Sequence, residues 1–69
     1  MEAYQMRVVD EHRELTEKLT RLQNFLVSSR FSEVPPPEQK RMRSQSAAME
    51  TYAEILKQRI EHFPEEVPA

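Results

Sequence analysis

The sequence predicts an all-α fold, an antiparallel two-helix hairpin that assembles into a helical homo-oligomer. Two apolar stripes, Leu15/Leu19/Leu22/Leu26 and Met49/Ala53/Leu56/Ile60/Phe63, step by four and three residues, the spacing of one helix face. Between them stands Pro35-Pro36-Pro37, which ends one helix and starts another. Glycine is absent and the chain has 69 residues, room for one domain, 1–69. A two-helix hairpin covers one stripe with the other and nothing more. Chains of this size rarely gain more than about 3 to 5 kcal/mol from a single core, so stability and function are expected to lie in an assembly.

Helix one is expected over about 3–29, a run of good helix formers without internal glycine or proline. Written as heptads, Val8, Leu15 and Leu22 occupy d, and Gln5, His12, Leu19 and Leu26 occupy a. His12 and Gln5 interrupt the apolar seam. A polar residue there commonly fixes register or partner number. His12 has no second histidine at helical spacing, so it makes a poor metal ligand and no metal site is expected.

The proline turn is expected over about 30–36, with Phe31 and Val34 tucked over the open end of the core. Helix two then runs over about 37–63, with Pro37 in its first turn and Pro64 preventing its continuation. Its seam reads Met42, Ser46, Met49, Ala53, Leu56, Ile60 and Phe63. A frayed tail, 64–69, completes the chain. Antiparallel pairing sets Leu26 against Met42, Leu19 against Met49, Leu15 against Ala53 and Val8 against Ile60. The g positions flanking this seam are Tyr4, Glu11, Lys18 and Phe25 on helix one and Gln45, Tyr52 and Arg59 on helix two. In that register Glu11 lies near Arg59 and Lys18 near Tyr52. Such a flank can be an ordinary salt bridge with oligomer contacts. It can equally supply the aromatic and the cations that stacking on a base and pairing with a phosphate require.

Composition narrows the function. A net charge of −2 lacks the basic footprint of a duplex nucleic-acid binder. From Lys18 to Arg43 there are six basic residues against two acidic ones, whereas the remainder holds four basic and ten acidic. A folded hairpin is therefore positive at its loop end and negative at its termini, a polarity that can attract a compact anion locally. Lys40-Arg41-Met42-Arg43 at the start of helix two adds an unspecific anion site. No cysteine supplies a disulfide or thiolate ligand, and no apolar run nears the roughly 20 residues of a membrane span. No signal peptide is read at the N-terminus, so a soluble intracellular protein is expected. Without glycine there is no phosphate-cradling loop, and no HExxH or CxxC spacing or nucleophile-base-acid set is present. Glu11, His12 and Glu14 radiate to different faces of one turn. No enzyme, catalytic residue or cofactor is expected.

The run YQMRVVDEHRELTEKLTRLQNFL and, after the turn, QSAAMETYAEILKQRI resemble the phage anti-CBASS cyclic-nucleotide sponges, whose helical hairpin is shared with a sponge directed against Thoeris immunity. The resemblance covers about 4–63 and rests on Tyr4 with Arg7-Val8, the L-x-x-K-L-x-x-L-x-x-F run from Leu15 to Phe25, and Gln45, Met49, Tyr52 and Arg59-Ile60. It implies a phage protein acting in the cytoplasm of the infected bacterium. Such a protein sequesters cyclic di- or trinucleotide messengers without cleaving them. It further implies hexamers built from dimers. By position, Tyr4, Arg7 and Lys18 match the cyclic-dinucleotide contacts, and Arg59 with Gln45 the trinucleotide site. Tyr4 and Lys18 are fourteen residues apart, about 21 Å on a straight helix, so a shared ligand requires a bent helix or two chains, and two chains are expected. The other readings are a structural or adaptor hairpin without a small-molecule ligand, and a protein that occludes an effector by its acidic face.

Overall fold

The computed structural model describes residues 2–64. Two helices, α1 (Ala3–Leu26) and α2 (Pro36–Glu61), run antiparallel around a short 3-10 helix at Ser29–Glu33. The molecule is a rod with extents of 57 × 14 × 14 Å. All-α hairpin architecture follows from the two stripes, while the tail expected over 64–69 lies outside the described residues beyond Pro64.

Helix one is shorter than its propensity suggests. It stops at Leu26 rather than near residue 29. Ser28 is the physical reason: its amide and its Oγ both donate to the Phe25 carbonyl, at 3.0 and 2.6 Å, closing a turn that competes with further helix. The connector is accordingly a second piece of helix and not a plain proline turn. Phe31 in that piece is buried, Val34 half-buried. Phe31 packs edge-on against Phe25, with centroids 6.0 Å apart, and the Arg43 guanidinium lies 5.0 Å from its ring centroid. Gln39 then ties the connector to α2, its Nε2 donating to the carbonyls of Phe31 (3.1 Å) and Val34 (2.8 Å). The Phe31 carbonyl also accepts the Val34 amide at 3.0 Å, so it is the Val34 carbonyl that depends on Gln39 for its partner.

Helix two starts one residue earlier than expected, at Pro36, and ends at Glu61 rather than 63. Pro36 and Pro37 occupy the first turn, where absent amides cost nothing, and the amides of Glu38 and Gln39 bond the Pro35 carbonyl. At the other end, the amides of His62 and Phe63 still reach back to Gln58 and Ile60, and Pro64 can donate nothing further.

Between the helices the core is narrow. Val8, Leu15 and Leu56 form its centre, with Met49, Ala53, Ile60 and Phe63 partly buried against them. Leu19 is buried too, as is the small Ser46 of the α2 seam. Gln23 and Glu50 determine which flank is which: Gln23 Nε2 donates to Glu50 Oε1 at 2.8 Å. Both are e positions of their heptads, and in an antiparallel pair e faces e and g faces g. The opposite flank therefore carries Tyr4, Lys18, Gln45, Tyr52 and Arg59.

Candidate functional site: the g flank of the hairpin

The N-terminus of α1 is built to hold one aromatic in place. Gln5, read from the heptad as a register residue, is buried because it caps the helix: its Oε1 accepts the Glu2 amide at 2.8 Å. Glu-x-x-Gln is half of a capping-box pattern, a signal present at residues 2–5. Its Nε2 sits 3.5 Å from the Tyr4 hydroxyl. The Tyr4 ring in turn meets Phe63 edge-on, with centroids 5.9 Å apart and planes at 76°. So anchored, Tyr4 remains 47% exposed. A ring held by such contacts and still half exposed is available for stacking and loses little entropy on use.

Arg7 follows one turn later and is exposed. The contact of Tyr4 with Phe63 brings the other end of the hairpin to the same level, and Arg59 lies one turn before Phe63. Tyr4, Arg7 and Arg59 thus share the end of the rod that carries the termini. Lys18 does not join them. α1 is continuous from Ala3 to Leu26, without the break that would let it fold back, so Lys18 stands about 21 Å from Tyr4 along the axis. Gln45 stands the same fourteen residues from Arg59 on the equally continuous α2, nearer the loop. Neither set of expected ligand residues is assembled within one chain.

The expected neighbours Glu11 and Arg59, and Lys18 and Tyr52, form neither an ion pair nor a cation–π contact. Among the described residues the ion pairs are Arg13–Asp10 (3.1 Å) and Arg41–Glu38 (2.8 Å), both within one helix, and Glu11 does not bridge Arg59. The cation–π contact among these residues is that of Arg43 on Phe31; none joins Lys18 to Tyr52. Arg7, Lys18 and Arg59 consequently present guanidinium and ammonium groups that no described carboxylate neutralises. Tyr52 on the same flank is 43% exposed.

Among the described residues no cluster of three or more histidine, aspartate or glutamate side chains could hold a metal ion. His12 is half-buried, and its carbonyl accepts the Thr16 hydroxyl at 2.7 Å. No described helix is long and apolar enough to cross a membrane.

Fold and flank define the class as a thin helical hairpin with aromatic and cationic side chains exposed along one side. Comparison with known proteins makes the class specific. The Sequestin family model matches residues 2–62, and the chain belongs to that family. It is also 43% identical over 63 residues to a phage protein, the uncharacterized 7.5 kDa protein in the denB-rIIB intergenic region of Enterobacteria phage T4. That alignment covers 91% of this chain and 98% of the T4 protein. No solved structure matches the chain. Family and relative together place the chain with phage proteins of a sequestering type.

Proposed function

We propose that this protein is a non-enzymatic phage sponge that binds cyclic oligonucleotide second messengers, cyclic dinucleotides and also trinucleotides, and withholds them from CBASS-type immune effectors in the host cytoplasm. Tyr4 carries the reading. Its ring is anchored by Phe63 and Gln5 yet half exposed, and the cationic Arg7 lies one turn away. Stacking binds a base and the guanidinium binds a phosphate, the two halves of any nucleotide. Membership of the Sequestin family supports capture over turnover.

The reading calls for more than one chain. Lys18 contacts the same dinucleotide as Tyr4 only if it comes from a second protomer, and the same holds for Arg59 and Gln45. Sequestration then needs no catalysis, only a complex slow to release its ligand. A second reading, a structural or adaptor hairpin, draws support from the exposed apolar side chains Met6 and Ile55, which suit protein contacts.

Calorimetric titration against a panel of cyclic di- and trinucleotides, with cyclic ADP-ribose as a one-base comparator, tests the proposal. Each bound ligand is recovered after heat denaturation and checked for intactness. Tight binding of a di- or trinucleotide returned unmodified is the expected result. Binding confined to the one-base comparator moves the substrate class and keeps the sponge, silence across the panel favours the adaptor, and a cleaved product overturns capture without turnover.

A further inference from the structure

Aromatic pairs close both ends of the hairpin, and the two are built differently. At the loop end Phe25 and Phe31 meet with centroids 6.0 Å apart, and Phe31 is 5% exposed. At the opposite end Tyr4 and Phe63 meet in nearly the same geometry, 5.9 Å and 76°, but Tyr4 keeps 47% of its surface in solvent. An aromatic clasp contributes most to stability when its rings leave water. The Tyr4 pair forgoes part of that gain. What it retains is the orientation of a half-exposed ring.

Two side chains constrain that ring unequally. The Gln5 amide lies 3.5 Å from the Tyr4 hydroxyl, at the outer limit of a hydrogen bond, while its Oε1 is engaged with the Glu2 amide at 2.8 Å. Phe63 is therefore the stronger constraint. It stands two residues beyond Glu61, where α2 ends. Its amide donates to the Ile60 carbonyl at 3.2 Å, and Pro64 after it has no amide to give. Phe63 itself is half-buried, packed against the core of Val8, Leu15 and Leu56. Tyr4 on α1 is thus oriented across the seam by a residue that the core holds at the end of α2.

We propose that Phe63 is the positioning residue of Tyr4: it fixes the ring ready for stacking without touching the ligand, and occupancy of Tyr4 in turn holds the last turn of α2 in place. The anchoring of the ring rests on the aromatic pair alone; its service to a nucleotide base rests on the sponge reading. A free ring must be ordered when a base stacks on it, whereas a ring already held has lost that freedom beforehand. An edge-to-face pair sets the scale, so the gain in affinity is about two- to tenfold. Linkage makes the effect mutual: the factor that a docked Phe63 adds to ligand affinity, the ligand adds to the docking of Phe63.

The chain has two tyrosines and no tryptophan, so Tyr52→Phe leaves Tyr4 as the sole tyrosine emitter. In that background, fluorescence anisotropy decay should show faster Tyr4 motion in Phe63→Leu, and unchanged motion in Ile60→Val, which trims the same core about one turn away. Circular dichroism confirms that each variant is folded. Calorimetric titration with cyclic di-AMP, cyclic di-GMP and cyclic tri-AMP reads the ligand side. Phe63→Leu should weaken binding about two- to tenfold and Phe63→Tyr should retain it. In a chain that already carries Tyr4→Ala, Phe63→Leu should cost nothing further, because its effect passes through the missing ring. Unchanged Tyr4 motion in Phe63→Leu, or an equal loss of affinity with and without Tyr4, overturns the proposal. Nucleotide binding that Phe63→Leu leaves untouched overturns the positioning role and spares the sponge reading. A protein that binds none of the three nucleotides, yet frees Tyr4 in Phe63→Leu, upholds the anchoring and removes its ligand role together with the sponge reading.

Discussion

Replacing Leu56 by alanine tests whether one narrow seam holds this fold. Leu56 is 1% exposed, at the centre of the cluster with Val8 and Leu15, and Ile55 beside it is half exposed and outside that cluster. Truncating a leucine this buried removes its transfer energy and leaves a cavity that two rods cannot collapse without losing their register. The expected cost is about 3 kcal/mol, within the range seen for buried Leu→Ala changes. That is about a hundredfold in the folding equilibrium. Against a core of about 3 to 5 kcal/mol, it leaves the hairpin largely unfolded when dilute. Ile55→Ala loses about 1 kcal/mol of apolar transfer at most, part of which alanine's better helix propensity offsets. Urea titrations followed by circular dichroism, at low and high protein concentration, separate the two. Leu56→Ala should lower the midpoint strongly at both concentrations, whereas Ile55→Ala should lower it only slightly in dilute solution; a larger loss at high concentration would report association of copies, which stabilises by mass action. Equal effects of the two substitutions in dilute solution would refute the account of the core given above.

Three further outcomes are expected. Gln39→Ala removes the side-chain bonds to the Phe31 and Val34 carbonyls, leaving the first with the Val34 amide and the second without that donor, and should cost about 1 to 2 kcal/mol, seen as faster amide exchange confined to the connector and the start of α2. Gln5→Ala deletes the cap on the Glu2 amide and should cost about 1 kcal/mol, with faster exchange in the first turn of α1 and unchanged exchange at Leu56. At Tyr4, phenylalanine should retain ligand affinity while alanine weakens it by about 1 to 3 kcal/mol, the scale of one stacked base; equal losses for both variants in a calorimetric titration would assign the role to the hydroxyl instead.

Much of this fold was legible because its physics is periodic. A four-three apolar step can bury its residues only as a helix, and three prolines leave only one place for the chain to reverse. Non-periodic features were harder. Nothing in the apolar pattern distinguishes Ser28 as a helix end, because the determining event is its hydroxyl and amide converging on the Phe25 carbonyl. Gln39 reads as an ordinary helix residue until the connector places two carbonyls above it. Gln5 belongs to both a heptad and a capping pattern, and the two readings assign it different work; the hydrogen bond to Glu2 decides for the cap.

The site divides along the same line. Which residues share the g flank followed from spacing, and the Gln23–Glu50 bond on the opposite flank fixes the rotation that makes it so. Which residues meet a common ligand is a question of level along the rod, and periodicity says nothing about level. Tyr4, Arg7 and Arg59 gather at one end because the Tyr4–Phe63 contact sets where the two helices coincide. Lys18 and Gln45 are carried away from that end by two unbroken helices, whose stiffness comes from the same absence of glycine and internal proline that made them legible. A single hairpin cannot bend to reunite them. A single ligand that touched both Tyr4 and Lys18 would therefore have to lie between chains, which makes assembly a condition of that proposed mode of binding rather than a consequence of it.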